Sequence, residues 1–260
     1  MPSRLFHQCS CAFGIARSLV IYWRPGRQQG LQNLYRPFIT PGAPAFDIGA
    51  HLGDRSAAFQ ALGAQVVALE PQPGLARWCK RMVGQELTLI PMAAGPAPGT
   101  AHIAISPRNP TVSTLAHAWR EQVSQHNAGF ASVNWNTQLS VEVTTLDALI
   151  ATYGLPCFIK IDVEGFEAEV LAGLSQPVPA LSFEFVAGTL NVSHACIQQL
   201  RRLGDYRFNV VEGEQRVFGW SDWKTADQVD AWLSQGADHL SSGDIYACQA
   251  HHPALKVSSA

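Results

Sequence analysis

From Ala45 onward, short apolar runs alternate with helical segments that close on glycine, and this alternation admits few folds. AFDIGA reads as a buried strand, DRSAAFQALG as a helix ending at Gly63, and QVVALE as a second strand. PGLARWCKRMVG follows as a helix with Pro73 near its start and Gly84 at its end, and LTLIPMA as a third strand. Strands joined through single helices need crossovers, which implies a parallel sheet with helices on both faces. The rhythm breaks at Pro96–Val143, a polar, Pro/Gly-punctuated insertion with one expected strand at Ala101–Ile105. It resumes in VEVTTLDALIATYG, CFIKIDVEGFEAEVLAGL, ALSFEF and NVSHACIQQLRRLG, and closes with strands in YRFNVVEG and DIYACQ. A Trp-rich segment separates those last two. Within it TADQVDAWLSQG has helical apolar spacing behind a capping threonine.

The expected organisation is a helical extension over 1–44, a core over 45–250 with insertions near 96–143 and 212–243, and a flexible tail over 251–260. Pro37, Pro41, Gly42 and Pro44 mark the first boundary. CAFGIARSLVIYW reads as an amphipathic helix packed on the core, too short to span a bilayer. Such a helix serves dimerisation as readily as it covers a domain, so a homo-oligomer stays open. Eighteen basic and twenty acidic side chains leave no positive stripe for phosphates, which argues against nucleic acid as a partner. The six cysteines show no CxxC spacing and fit a reducing, cytoplasmic setting.

Open parallel sheets bind ligands beyond the carboxyl ends of their strands, where strand order reverses. After the first strand comes Asp47, then Gly49, Ala50, His51 and Gly53; after the second come Glu70, Pro71 and Gln72. The glycines let the chain turn sharply, and an acid at Glu70 matches the two vicinal hydroxyls of a ribose. Two cofactor classes fit. A dinucleotide such as NAD sets its pyrophosphate on a G-x-G-x-x-G turn, but the first glycine is missing and Asp47 would repel phosphate. S-adenosylmethionine carries a sulfonium and an ammonium and no phosphate, which suits a carboxylate there.

These motifs resemble the FkbM-type methyltransferases, S-adenosylmethionine-dependent enzymes of Rossmann-like fold. AFDIGAHLGDRS is similar to the opening motif of that family and VVALEPQP to its second. VEVTTLDAL with FIKIDVEGFEAEVLAGL is similar to its most distinctive block, and GDIYAC to its last strand. The resemblance implies an α/β, doubly wound, mostly parallel sheet of the class I methyltransferase type behind the N-terminal extension. It also implies that Asp47, Gly49, Ala50, His51 and Gly53 line the methionine end of the cofactor, that Glu70 with Pro71 holds the ribose, and that Met92 and Ala93 flank the adenine. Ser113 matches a position near the cofactor. His51 departs from the small polar residue usual in the family; it reads equally as a donor to the cofactor or as a histidine turned away.

For the reacting end, alternation in FIKIDVEG sets Lys160, Asp162 and Glu164 on one side of an extended segment. Asp162 is the candidate acid/base or acceptor-orienting residue at the cofactor's edge, with Glu164 beside it and Glu184 as partner from the next strand end. The bland alternative has Lys160 pairing with a carboxylate and Glu164 capping the following helix. Mg²⁺ would suit Asp162, Glu164 and Glu184 as oxygen ligands, but their spacing does not demand it, and no metal site is assigned. Trp119, Trp135, Trp220, Trp223 and Trp232 are candidates for a lid over the acceptor, although Trp232 reads better as an anchor for its own helix. The implied reaction is O-methylation of a sugar, natural product or lipid-like small molecule. The competing readings are an NAD-linked oxidoreductase and a cofactor-binding protein without catalysis.

Overall fold

The computed structural model describes residues 20, 22–24, 26–106, 113–127, 133, 135 and 137–256. Most of the N-terminal segment read as an amphipathic helix lies outside the described residues. The first helix described, α1 (Arg27–Tyr35), precedes β1 (Pro44–Ile48), α2 (Asp54–Ala61), β2 (Gln65–Leu69), α3 (Pro73–Val83) and β3 (Thr88–Ile90). The chain continues through β4 (Ala93–Ala94), β5 (Gly99–Ile105), α4 (His117–His126), β6 (Thr137–Thr144), α5 (Leu146–Tyr153) and β7 (Phe158–Ile161). Then come α6 (Glu167–Ala172), β8 (Ala180–Val186), α7 (Leu190–Leu203), β9 (Tyr206–Glu212), α8 (Ala226–Ser234) and β10 (Ser242–Gln249).

Seven strands form one sheet in the order β3-β2-β1-β7-β8-β10-β9. All pairs are parallel except those of β10, which runs antiparallel to both β8 and β9. The expected Rossmann-like, doubly wound sheet is therefore present. From β1 the chain winds outward through β2 and β3, then returns to β7 on the other side, so strand order reverses between β1 and β7. The third strand expected at LTLIPMA divides at Pro91. Thr88–Ile90 stays in the main sheet, while Ala93–Ala94 joins β5 and β6 in a separate three-stranded sheet. The first insertion supplies two of these three strands, β5 and β6, together with α4, where mainly loop is expected.

Residue alternation assigns the two sheet faces. Phe46, Ile48, Ile159, Ile161, Leu181, Phe183 and Ile245 point into a core shared with Leu149, Val170, Ile197 and Leu233 of α5, α6, α7 and α8. The opposite face begins with Ala45, Phe158, Ala180 and Cys248 in one row, packed beneath Leu31, Tyr35 and Phe59. One step toward the carboxyl ends the row reads Asp47, Lys160, Ser182 and Tyr246; at the rim Glu184 faces Asp244. That face therefore grades from apolar to charged toward the carboxyl edge of β1, β7 and β8.

Two helix starts behave as their sequences suggest. Thr145 accepts from the Ala148 N–H, and Thr225 with Gln228 forms a reciprocal capping box. At the far end, Pro253–Lys256 makes a short 3₁₀ turn that buries Ala254, where a free tail is expected from His251. The aromatic packing around Phe158 yields a stability test. Its ring is fully buried among Tyr35, Phe38, Phe59 and Tyr246, with centroids 5.1–6.1 Å away. Phe158→Ala is expected to cost about 3–5 kcal/mol in urea unfolding, with the m-value unchanged.

Candidate active site

The reversal point between β1 and β7 is held open by a glycine. Gly49 has φ +86°, and a Cβ there would fall 1.9 Å from the Asp162 carbonyl oxygen. The β1 and β7 loops thus touch backbone to backbone, while the Gly49 and Ala50 N–H groups donate to the Leu69 carbonyl at 3.0 and 2.9 Å. His51 follows in left-handed backbone, φ +50°. Its N–H donates to Glu70 Oε2 at 3.0 Å, and the Gln72 N–H donates to Glu70 Oε1 at 2.8 Å. Glu70 is 4% exposed. Burial pushes its carboxyl up to about 8, against the two backbone donors.

Two clefts meet at this point. One, of about 560 Å³, is lined by Gly49, His51, Glu70, Pro71, Gln72, Met92, Ala93, Ser113, Asp162 and Glu164, with apolar walls from Ile48, Leu69, Ile103, Leu115 and Phe166. The other, of about 750 Å³, shares Gly49, His51, Asp162 and Glu164 and adds Asp47, Ala50, Arg55, Glu184, Asp244 and Tyr22. The structure thereby brings together every cofactor-binding and catalytic candidate named from sequence except Gly53, which lines neither cleft. Gly53 has another task, because a Cβ there would meet Val83 and Cys79 of α3 at 2.4 and 2.7 Å.

Asp47 is 1% exposed and accepts a hydrogen bond from the Ser56 hydroxyl. Burial raises its carboxyl to about 6, partly countered by Ser56 and Arg55. The His51 ring is also shut in. Burial lowers its pKa to about 4, so the imidazole is neutral at pH 7, and its Nε2 is buried with no hydrogen-bond partner among the described residues. Tyr22 packs edge-on against that ring at 5.4 Å, under the guanidinium of Arg27 at 5.0 Å. Arg27 in turn donates to Asp54 at 2.9 Å and to Glu214 at 2.7 Å.

Lys160 is fully buried. Its ammonium donates to Asp244 Oδ1 at 2.9 Å and to the Ile161 carbonyl at 3.3 Å, and lies 3.4 Å from Asp162 Oδ2. Burial disfavours the charge, but Asp162 and Asp244 more than offset this and raise its pKa. The turn after β7 is not capped by Glu164. Glu167 does this work, its Oε1 accepting from the Val163 N–H at 3.2 Å and the Gly165 N–H at 3.1 Å. Glu164 instead adopts left-handed backbone, φ +55°, and enters both clefts. Glu164 and Glu184 have pKa values well above the ordinary carboxylate range, from burial first and then from repulsion by neighbouring acids.

The tryptophans are not lids. Trp119 stacks on Gly165, whose Cβ would overlap its ring, and donates to Thr189 Oγ1 at 3.1 Å. Trp135 packs edge-on against Trp119, Trp220 against Trp232, and Trp232 also against Phe185. Trp223 lies between Phe38 and Phe218. Large rings found apolar partners in the core and the insertions, and none lines either cleft. Sequence reasoning missed Tyr22, Arg55 and Asp244 on the cleft walls, and Glu167 as the turn's clamp. The available signal was a carboxylate inside the apolar GDIYAC and a second acid two residues after Gly165.

An open, mostly parallel sheet with an acid after its second strand and carboxylates at its reversal point is an α/β architecture with its ligand crevice at the switch point. The Methyltransferase FkbM domain matches residues 47–240, most of the chain, which therefore belongs to the FkbM methyltransferase family and is a methyltransferase. No protein of curated function matches the sequence. Similar solved structures include a precorrin-6Y C5,15-methyltransferase from Geobacter metallireducens, 14% identical over 84% of this chain and 85% of that one, with a TM-score of 0.40. A TehB-like methyltransferase from Corynebacterium glutamicum is 13% identical over 85% and 87%, with a TM-score of 0.41. An O-methyltransferase from Bacillus cereus is 11% identical over 96% and 93%, with a TM-score of 0.37. Likenesses this distant carry nothing about substrate.

The Gly49 contact gives the site its mechanical test. Gly49→Ala forces an alanine to positive φ and drives its methyl into the Asp162 carbonyl. The expected loss is at least about 2 kcal/mol in urea unfolding, and the loop shift will weaken cofactor binding along with stability. Unchanged stability would mean that the two loops are not in contact.

Proposed function

We propose that the chain transfers the methyl group of S-adenosylmethionine to a hydroxyl of a small molecule of sugar, natural-product or lipid-like type. The observation that carries the choice of donor is the first turn of α2. A dinucleotide's pyrophosphate needs bare N–H groups there, but Asp54 occupies the first helical position, 3% exposed, with Asp47 and the His51 ring alongside. The adenosine half of the donor fits the apolar cleft, with the ribose on Glu70 and the adenine between Met92 and Ala93. The methionine half turns past Gly49 toward the acidic cleft, where its ammonium and sulfonium meet carboxylates. Pro71 and Ser113 complete the adenosine side, and Ala50 and His51 the other.

In the reaction the acceptor oxygen attacks the methyl carbon opposite sulfur. The O–C bond forms as the C–S bond breaks, sulfur keeps the electron pair, and the hydroxyl proton passes to a carboxylate. Asp162 faces both clefts and is the receiving or orienting group in this reading, with Glu164 and Glu184 beside it. Lys160 fixes Asp162 from below. The described residues include no helix long and apolar enough to cross a membrane. Cys79, Cys157, Cys196 and Cys248 are buried and unpaired, which supports a reducing, cytoplasmic setting. The formal charge of −2 supports a small-molecule acceptor over nucleic acid.

A thermal-shift comparison tests the donor. S-adenosylhomocysteine at a hundred times its Kd is expected to raise Tm by roughly 5–10 °C, whereas NADH leaves it unmoved. Stabilisation by NADH alone would favour an oxidoreductase. Affinity should also depend on pH. The free Glu70 carboxyl is raised to about 8, and ribose binding favours its ionised form. Binding therefore releases a proton at pH 7. Affinity for S-adenosylhomocysteine falls up to about tenfold per unit as pH drops below 8, and levels off above it. Calorimetry in two buffers of different ionisation heat measures the proton released. Glu70→Gln removes the share of the release and of the slope that belongs to Glu70 and leaves the share from Glu164 and Glu184.

A further inference from the structure

Asp162, Glu164 and Glu184 each offer one carboxylate oxygen, and the three oxygens lie within 4.8 Å of one another. They come from three places: the residue after β7, the left-handed turn that follows it, and β8 two residues before its end, across from Asp244. Glu167 clamps the turn from the far side, so the arrangement stands without help from a ligand. Glu164 Oε2 and Glu184 Oε2 are buried and receive no hydrogen bond from the described residues. Like charges at this spacing repel, and buried oxygens without a donor are costly. Lys160, whose charge both glutamates feel, is already engaged by Asp244, Asp162 and the Ile161 carbonyl. Among the described residues, Glu164 and Glu184 have no ion pair of their own.

We propose that Asp162, Glu164 and Glu184 form a binding site for one divalent cation of the magnesium or manganese class. Three hard oxygen donors select a hard ion, and an octahedral shell keeps positions open for water or an acceptor oxygen. The site rests on the methyl-transfer reading and deepens it. The cation lies at the reacting end of the cleft, where an acceptor hydroxyl that ligates it loses its proton more readily. Each carboxylate gives one oxygen to the ion and keeps the other for that proton or for the acceptor's hydrogen bonds.

The test is a titration of the full chain with MnCl₂, read by the electron paramagnetic resonance of free Mn²⁺, on wild type and on Glu184→Gln. Both proteins are also titrated calorimetrically with S-adenosylhomocysteine. Wild type is expected to take up one Mn²⁺ per chain, displaceable by Mg²⁺. Glu184→Gln should bind Mn²⁺ at least about tenfold more weakly while keeping the cooperative urea unfolding of wild type. If Glu184→Gln does not fold, Glu164→Gln supplies the same comparison. No stoichiometric Mn²⁺ uptake by wild type, equal uptake by both proteins, or loss of Mn²⁺ when S-adenosylhomocysteine saturates the site overturns the proposal. A wild type that binds Mn²⁺ but not S-adenosylhomocysteine keeps the cation site and refutes the donor.

Discussion

Holding carboxylates away from water is costly, and the carboxyl rim of this sheet is organised around that cost. Lys160 lies at the centre of the arrangement. Its buried ammonium is shared by Asp162 and Asp244, which brings β7 and β10 to a common charge across β8. Asp47 is eased by the Ser56 hydroxyl and Glu70 by two backbone N–H groups. Among the described residues, Glu164 Oε2 and Glu184 Oε2 receive no hydrogen bond. The rim is therefore stable enough to form yet short of positive charge, which is what the proposed donor and cation would supply.

A second ionic layer fastens the N-terminal region over the same rim. Arg27, 2% exposed, reaches Asp54 at the start of α2 and Glu214 after β9, and Arg55 contacts the same two acids. Burial works against the Glu214 carboxylate, but Arg55 and Arg27 win and lower its pKa to about 2. Tyr22 rides on this network and closes one wall of the acidic cleft. The extension before β1 therefore belongs to the site as well as to the core, which Leu31, Leu34, Tyr35 and Phe38 enter directly.

The parallel sheet was legible because its signals are local. Alternation, glycine stops and the acid after QVVALE need no knowledge of distant residues, and they located Asp47, Glu70 and Asp162 at strand ends. What was not legible depends on partners far along the chain. Nothing near Lys160 announces Asp244, and nothing near Arg27 announces Glu214. Glu164 and Glu167 are indistinguishable as caps until the backbone at Glu164 turns left-handed and sends its side chain into the clefts. LTLIPMA looked like one strand because its apolar run continues through Pro91, whereas a ring that cannot donate ends the ladder there. The tryptophans looked available for a lid because exposure cannot be read from residue type, and aromatic neighbours from the core claimed them.

The central claim is that the reversal point between β1 and β7 receives S-adenosylmethionine with its ribose on Glu70 and its sulfur toward Asp162. A crystal structure of the protein with bound S-adenosylhomocysteine tests this most directly. The account requires both ribose hydroxyls within hydrogen-bond distance of the Glu70 carboxylate and the sulfur at the junction of the two clefts, beside Asp162. Ligand density elsewhere, or a ribose turned away from Glu70, would contradict it.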